Sequence, residues 1–160
     1  MIISCVFVGQ WVRFRCKKRI DNLEKTKLLI HFIETQLRFS REPVLDLLKN
    51  IEKRSEWKSF RFIKECMNLC EQKNSFSDTW EKSVSLFPPD GFTNEDIQLL
   101  NDFGSRLGTT DLDGQLKICC LYETLFDGQI HTAHSNLQQK GALYSGLGAV
   151  CGLFIAVIAL

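Results

Sequence analysis

The last twenty residues, Gly141 to Leu160 (GALYSGLGAVCGLFIAVIAL), carry no charged side chain, and Lys140 is the last charge in the chain. A helix rises about 1.5 Å per residue, so a run of this length spans about 30 Å, the thickness of a bilayer's hydrocarbon core. In lipid the backbone must satisfy its own polar groups, and a helix does so within one segment. Tyr144 stands near the polar end of the run, where an amphipathic ring favours the membrane interface. The run predicts a C-terminal transmembrane helix over residues 141–160. A buried core helix is the competing reading, but such helices are usually shorter and keep a polar stripe.

Charge is distributed unevenly around that segment. Arg13, Arg15, Lys17, Lys18 and Arg19 place five positive charges within seven residues. Residues 20–140 hold all nineteen acids against the other fifteen bases, which leaves −4 there, although the whole chain of 160 residues is at +1. Within that region, 83–140 has eight acids and three bases. A nucleic-acid-binding domain spreads a basic surface over its fold. Here the bases sit beside an apolar N-terminus, as they would at a membrane flank, so no nucleic-acid partner is expected.

Met1–Val12 (MIISCVFVGQWV) is mostly apolar and is followed by the bases. Twelve helical residues reach only about 18 Å, and a signal peptide carries its bases before the apolar core rather than after it. A short span with snorkelling arginines and an interfacial segment held by anionic lipid are both compatible with this order. Residues 1–19 are thus an apolar segment with a basic flank, 20–140 a folded domain, and 141–160 the membrane helix. If residues 1–12 span, the basic flank and Lys140 both place the domain in the cytoplasm. The seven cysteines, Cys5, Cys16, Cys66, Cys70, Cys119, Cys120 and Cys151, fit neither a zinc pattern nor a disulfide framework. Reduced, non-catalytic thiols agree with that compartment.

The domain reads as an all-α bundle of about six helices. A helical stripe over Asp21–Phe39 carries Leu29, Phe32 or Ile33, and Gln36 or Leu37. Pro43 fits the first turn of a second helix, with Val44, Leu47 or Leu48, and Ile51 inward. Trp57, Phe60, Ile63, Met67 and Cys70 predict a third, and Phe76, Trp80 and Val84 a short fourth. Phe87–Gly91 breaks the chain. Thr93 with Asp96 resembles a capping box that opens a fifth helix, and Gly108 suits its C-terminal end. Asp111 caps a sixth, with inward positions Leu112, Leu116, Cys119, Glu123, Phe126, Ile130, Ala133 and Leu137. No proline follows, so this helix is expected to continue into the membrane.

Few residues carry chemistry. Asp111–Gly114 suggests a calcium loop, but Leu116 and Tyr122 stand where glycine and glutamate are required. Glu123, Asp127, His131 and His134 share one helical face. Imidazoles and carboxylates of that kind bind transition metals, yet no partner pattern appears on another helix, and a solvated polar patch is the preferred reading. His31 is taken as structural. No phosphate loop, dinucleotide-binding pattern or nucleophile elbow occurs. No catalytic, cofactor or metal site is assigned, and no enzyme activity is expected. Glu34 and Arg38 make an i,i+4 surface pair, or Glu34 meets a partner. Glu34, Glu95, Asp102 and Asp113 are the candidate partner contacts. In the last helix, Gly148, Gly152 and Ala156 form a small-residue row that permits close helix packing, including packing of one copy on another in a homo-oligomer.

Three stretches together resemble the stage III sporulation protein AB family: FIETQLRFSREPVLDLL at 32–48, LNDFGSRLGTTDLDGQ at 100–115, and KGALYSGLGAVCGLFIAVIAL at 140–160. With their spacing they cover about residues 23–160. The family pattern has a full first span, for which Met1–Val12 is short. The resemblance implies a membrane protein of endospore-forming bacteria with a helical domain similar to the type II secretion F domain. The implied function is a platform in a channel complex between mother cell and forespore. Its implied partners are a secretion-type cytoplasmic ATPase, the AA member of the same group, and other membrane channel subunits. A membrane-tethered regulatory or sensor domain is the alternative, and a membrane enzyme using the Glu123–His134 face a more distant one.

Overall fold

Two long helices form the spine of the molecule. In this computed structural model the elements run α1 (Ile2–Ser40), α2 (Val44–Glu52), a 3-10 turn (Ser55–Trp57), α3 (Arg61–Cys70), α4 (Phe76–Leu86), α5 (Asn94–Arg106) and α6 (Leu112–Ile158). The structure describes the backbone of residues 2–40, 44–70 and 75–158, and the side chains of 11, 13–40, 44, 46–70 and 75–139. Among the described residues there is no strand.

α1 and α6 pack along each other, and their cross-helix pairs set the direction. Glu24 faces His134, Lys27 faces Asp127 and His31 faces Glu123, so the two helices are antiparallel. The α1 N-terminus and the α6 C-terminus therefore point to the same end. The shorter helices close the bundle in sequence order: α2 on α3, α3 on α4, α4 on α5, and α5 back on α6. An aromatic relay runs through them. Phe62 meets Trp80 at 5.3 Å, Trp80 meets Phe103 at 6.3 Å, and Phe103 meets Tyr122 at 5.4 Å between ring centroids. Edge-to-face pairs at such distances add about 0.5–1.5 kcal/mol each beyond burial.

Local chemistry explains most boundaries. The α5 capping box is formed: Asp96 N–H donates to Thr93 Oγ1 at 3.3 Å, and Thr93 N–H donates to Asp96 Oδ2 at 2.8 Å. Gly108, at φ +79°, follows the α5 C-cap in the left-handed region. Asp111 Oδ1 accepts from the Gly114 N–H at 3.0 Å and caps α6. Gly104 is required by packing rather than by a turn. Trp80 Nε1 donates to Leu100 O at 2.9 Å, and a Cβ on Gly104 would run into the Trp80 indole.

Two boundaries differ from expectation. The first helix starts at Ile2 rather than Asp21 and runs through the basic cluster. Lysine and arginine are good helix formers, and a change of composition is not a break in hydrogen bonding. The third helix starts at Arg61, because Trp57 ends a 3-10 turn and Phe60 lies in the link. A 3-10 turn repeats every three residues, so residues 57, 60 and 63 share a buried side without one continuous α-helix. Phe62 and Tyr122 are core residues that the periodicity did not identify.

Among the described residues no helix is long and apolar enough to cross a membrane. The segment 141–160, with Tyr144, Gly148, Gly152 and Ala156, lies outside the residues whose side chains are described, as do residues 1–10 and 12.

Candidate functional site

Helix α1 presents two polar faces to the rest of the domain. The first lies where the loop before α5 crosses it. Asp96 is fully buried, and Arg19, 13% exposed, reaches it from α1. Arg19 Nε donates to Asp96 Oδ2 at 2.7 Å, Nη2 to Oδ1 at 3.0 Å, and Nη2 also to Gln129 Oε1 at 3.1 Å. Such fork-to-fork geometry is the strong form of a charge-assisted hydrogen bond. The bond to Asp96 raises the Arg19 pKa further above its ordinary value, against the opposing effect of burial. One carboxylate thus caps α5 and clamps α1, and the same guanidinium reaches α6. The loop is fastened beside it. Asn22 Nδ2 donates to Asp90 O at 2.9 Å. Gly91, at φ +83°, lies so close to α1 that a Cβ would be 3.0 Å from Arg19 N and 3.2 Å from Arg15 O.

The second face is the seam between α1 and α6. Lys27 Nζ donates to both carboxylate oxygens of Asp127 at 2.7 Å. His31 Nδ1 is 3.1 Å from Glu123 Oε1 and 3.9 Å from Glu34 Oε2. Arg38 Nη2 donates to the other Glu34 oxygen at 2.7 Å. Beneath these groups lies the buried thiol of Cys119, pushed up from 9.0 to about 12 by burial and then by the negative charge of Glu34 and Glu123. Burial, followed by the neighbouring Cys70, pushes Cys66 to about 12 as well. The five described cysteines are free thiols.

The seam rearranges the sequence-derived sets. Glu123, Asp127, His131 and His134 do not act together: Asp127 is taken by Lys27, His134 faces Glu24 at 3.8 Å, and Glu123 turns to His31. His31 belongs to this cluster instead of standing alone. The Glu34–Arg38 pair forms as expected, but Glu34 is half-buried at a helix–helix interface. Glu95, Asp102 and Asp113 are exposed, on the first turn of α5, on the body of α5 and on the first turn of α6. Arg19 belongs to the packed domain, although its place in a basic run suggested a membrane flank. Arg13, Arg15, Lys17 and Lys18 remain exposed, together with Trp11 and Phe14, and Arg15 stacks over Trp11 at 4.9 Å. No local signal marks the Arg19–Asp96 or Lys27–Asp127 pairs, whose members are 77 and 100 residues apart.

A family model described as stage III sporulation protein AB matches residues 1–160, the whole chain. The match includes the N-terminal residues that the three resembling stretches leave out. No curated protein and no solved structure gives a significant match.

Proposed function

Because the chain belongs to the stage III sporulation protein AB family, we propose that it is a membrane-anchored platform of a sporulation channel complex between mother cell and forespore. In this role it couples a secretion-type cytoplasmic ATPase to other membrane subunits through a domain similar to the type II secretion F domain. The observation that carries the reading is the antiparallel α1–α6 spine. It directs both apolar ends of the chain to one end of the bundle and leaves the domain at the other. Residues 141–160 are uncharged over a bilayer-length run. Exposed Trp11 and Phe14 with Arg13, Arg15, Lys17 and Lys18 form the aromatic and basic collar expected where a helix meets the headgroups. The folded domain then stands on the cytoplasmic, mother-cell side. Its acidic surface, with Asp102 and Asp113 exposed, is the face offered to the ATPase.

Co-purification from membranes of a sporulating host tests this. Full-length protein in detergent should retain the ATPase, and retention should fall as salt rises, because exposed charges act mainly on association. Asp102→Lys with Asp113→Lys should weaken it without lowering Tm. Deleting 141–160 should release most of the protein from carbonate-washed membranes. A protein that stays in the membrane without that segment, and retains no ATPase at low salt, would not be such a platform.

A further inference from the structure

The α1–α6 seam brings three metal-ligating side chains together from two helices. The nearest ligand atoms of His31, Glu34 and Glu123 all lie within 4.8 Å of one another. We propose that these three residues bind a divalent transition-metal ion, zinc foremost, that fastens α1 to α6. The inference does not depend on the platform reading.

The spacing suits the ion. Zinc bonds to nitrogen and carboxylate oxygen are about 2.0–2.2 Å, so tetrahedral ligands stand about 3.3–3.5 Å apart. The two His31 contacts, 3.1 Å to Glu123 and 3.9 Å to Glu34, bracket that value. The third pair, Glu34 and Glu123, stands within 4.8 Å, so side-chain rotation that brings the two carboxylates about an ångström closer would close the set. The ligand types also agree, since imidazole with carboxylates is a transition-metal donor set. His31 and Glu34 are three residues apart on α1, which stacks them on one face. That i,i+3 spacing of imidazole and carboxylate is the one helical bundles use to project ligands into a shared site.

Charge points the same way. Two half-buried carboxylates face one seam, and the cations nearby are already engaged. Lys27 is held by Asp127. Arg38 takes one oxygen of Glu34 and leaves Oε2 turned towards His31. Arg38 is thereby placed as an outer residue that orients a ligand. His31 is 64% exposed, so the ion has a route in, and water completes its coordination.

The test uses the full chain in detergent, stripped with a chelator and titrated with Zn²⁺ against a chromophoric competitor. One equivalent should bind. His31→Ala and Glu123→Gln should each weaken binding by at least about tenfold, the smallest change expected even of an outer-shell residue. Asp127→Asn, in the same seam but outside the set, should leave binding unchanged. Cys66→Ala with Cys70→Ala should also leave it intact, which separates the seam from the thiol pair. Co²⁺ substitution should give tetrahedral d–d bands that His31→Ala abolishes. Circular dichroism checks that each variant is folded; should one lose helicity, the wild-type cobalt spectrum decides alone, and octahedral or absent bands overturn the proposal. It is also overturned by the absence of saturable binding, by full binding in the His31→Ala, Glu123→Gln double variant, or by loss of binding in the cysteine variant.

Discussion

The two polar faces of α1 use the same chemistry to different effect. At the α5 junction, Arg19 meets a fully buried carboxylate with two nitrogens, and that carboxylate also closes a helix cap. At the seam, Lys27 meets Asp127 at an equally short 2.7 Å, yet the two side chains are 36% and 54% exposed. Distance alone therefore does not rank the pairs. Removing one member of a buried pair strands a charge away from water and costs about 3–5 kcal/mol. An exposed pair loses little, because water solvates whatever is left and the typical value is about 0–1 kcal/mol. The junction is thus the fastening that fixes α1 on the bundle. The seam has more polar groups and less stability per group, which leaves it free for binding.

The largest expected effect is at the junction. Arg19→Ala leaves Asp96 buried without its cation and should cost about 3–5 kcal/mol by chemical denaturation. Arg19→Lys should recover only part of this, since an ammonium cannot repeat the bidentate fork. A loss below 1 kcal/mol for Arg19→Ala would remove the distinction between the two faces.

Gly91→Ala probes the same junction through the backbone. The position is at φ +83°, and the new Cβ meets main-chain atoms of Arg15 and Arg19 that cannot rotate away. A cost on the order of 1–3 kcal/mol is expected, and an unchanged Tm would mean that the loop is not pressed on α1.

The thiols give a pH test under the seam. Cys119 and Cys66 lie near 12 in the folded protein against 9.0 ordinarily. Between those values the folded chain keeps protons that the unfolded chain releases, so stability should be flat below about 8 and fall as pH rises from about 9 towards 12. Thiol alkylation at neutral pH should mark exposed Cys120 well before buried Cys119. Rapid labelling of Cys119 in the folded protein would show that the seam opens.

The smallest effect is expected for Lys27→Ala, at under about 1 kcal/mol and vanishing in high salt. A loss comparable to that of Arg19→Ala would place the two faces on one footing.

Which parts of this molecule were legible in sequence follows from range. The Thr93–Asp96 box, the Gly108 end and the Asp111 cap are each complete within four residues, so spacing alone identified them. The inward face of α6 followed from periodicity, with buried Cys119, Phe126 and Ala133 recurring at seven-residue steps. Trp57 and Phe60 showed the limit of that signal. Their three-residue step is shared by a 3-10 turn and an α-helix, and only hydrogen bonding tells the two apart.

By itself, then, the sequence determined an all-helical chain, its caps, its uncharged end and its family, because each is a property of neighbours along the chain or of composition. Tertiary structure alone decided which charges are buried and which residues meet. Arg19 stands in a run of five bases that look alike in sequence, and only the arrival of Asp96 from 77 residues away makes one of them a clamp. His31 looked solitary until the antiparallel packing of α6 set Glu123 beside it. The physical reason is that both contacts join helices distant in sequence, and at Arg19 the packing of those helices also excludes water, on which the strength of a polar contact depends.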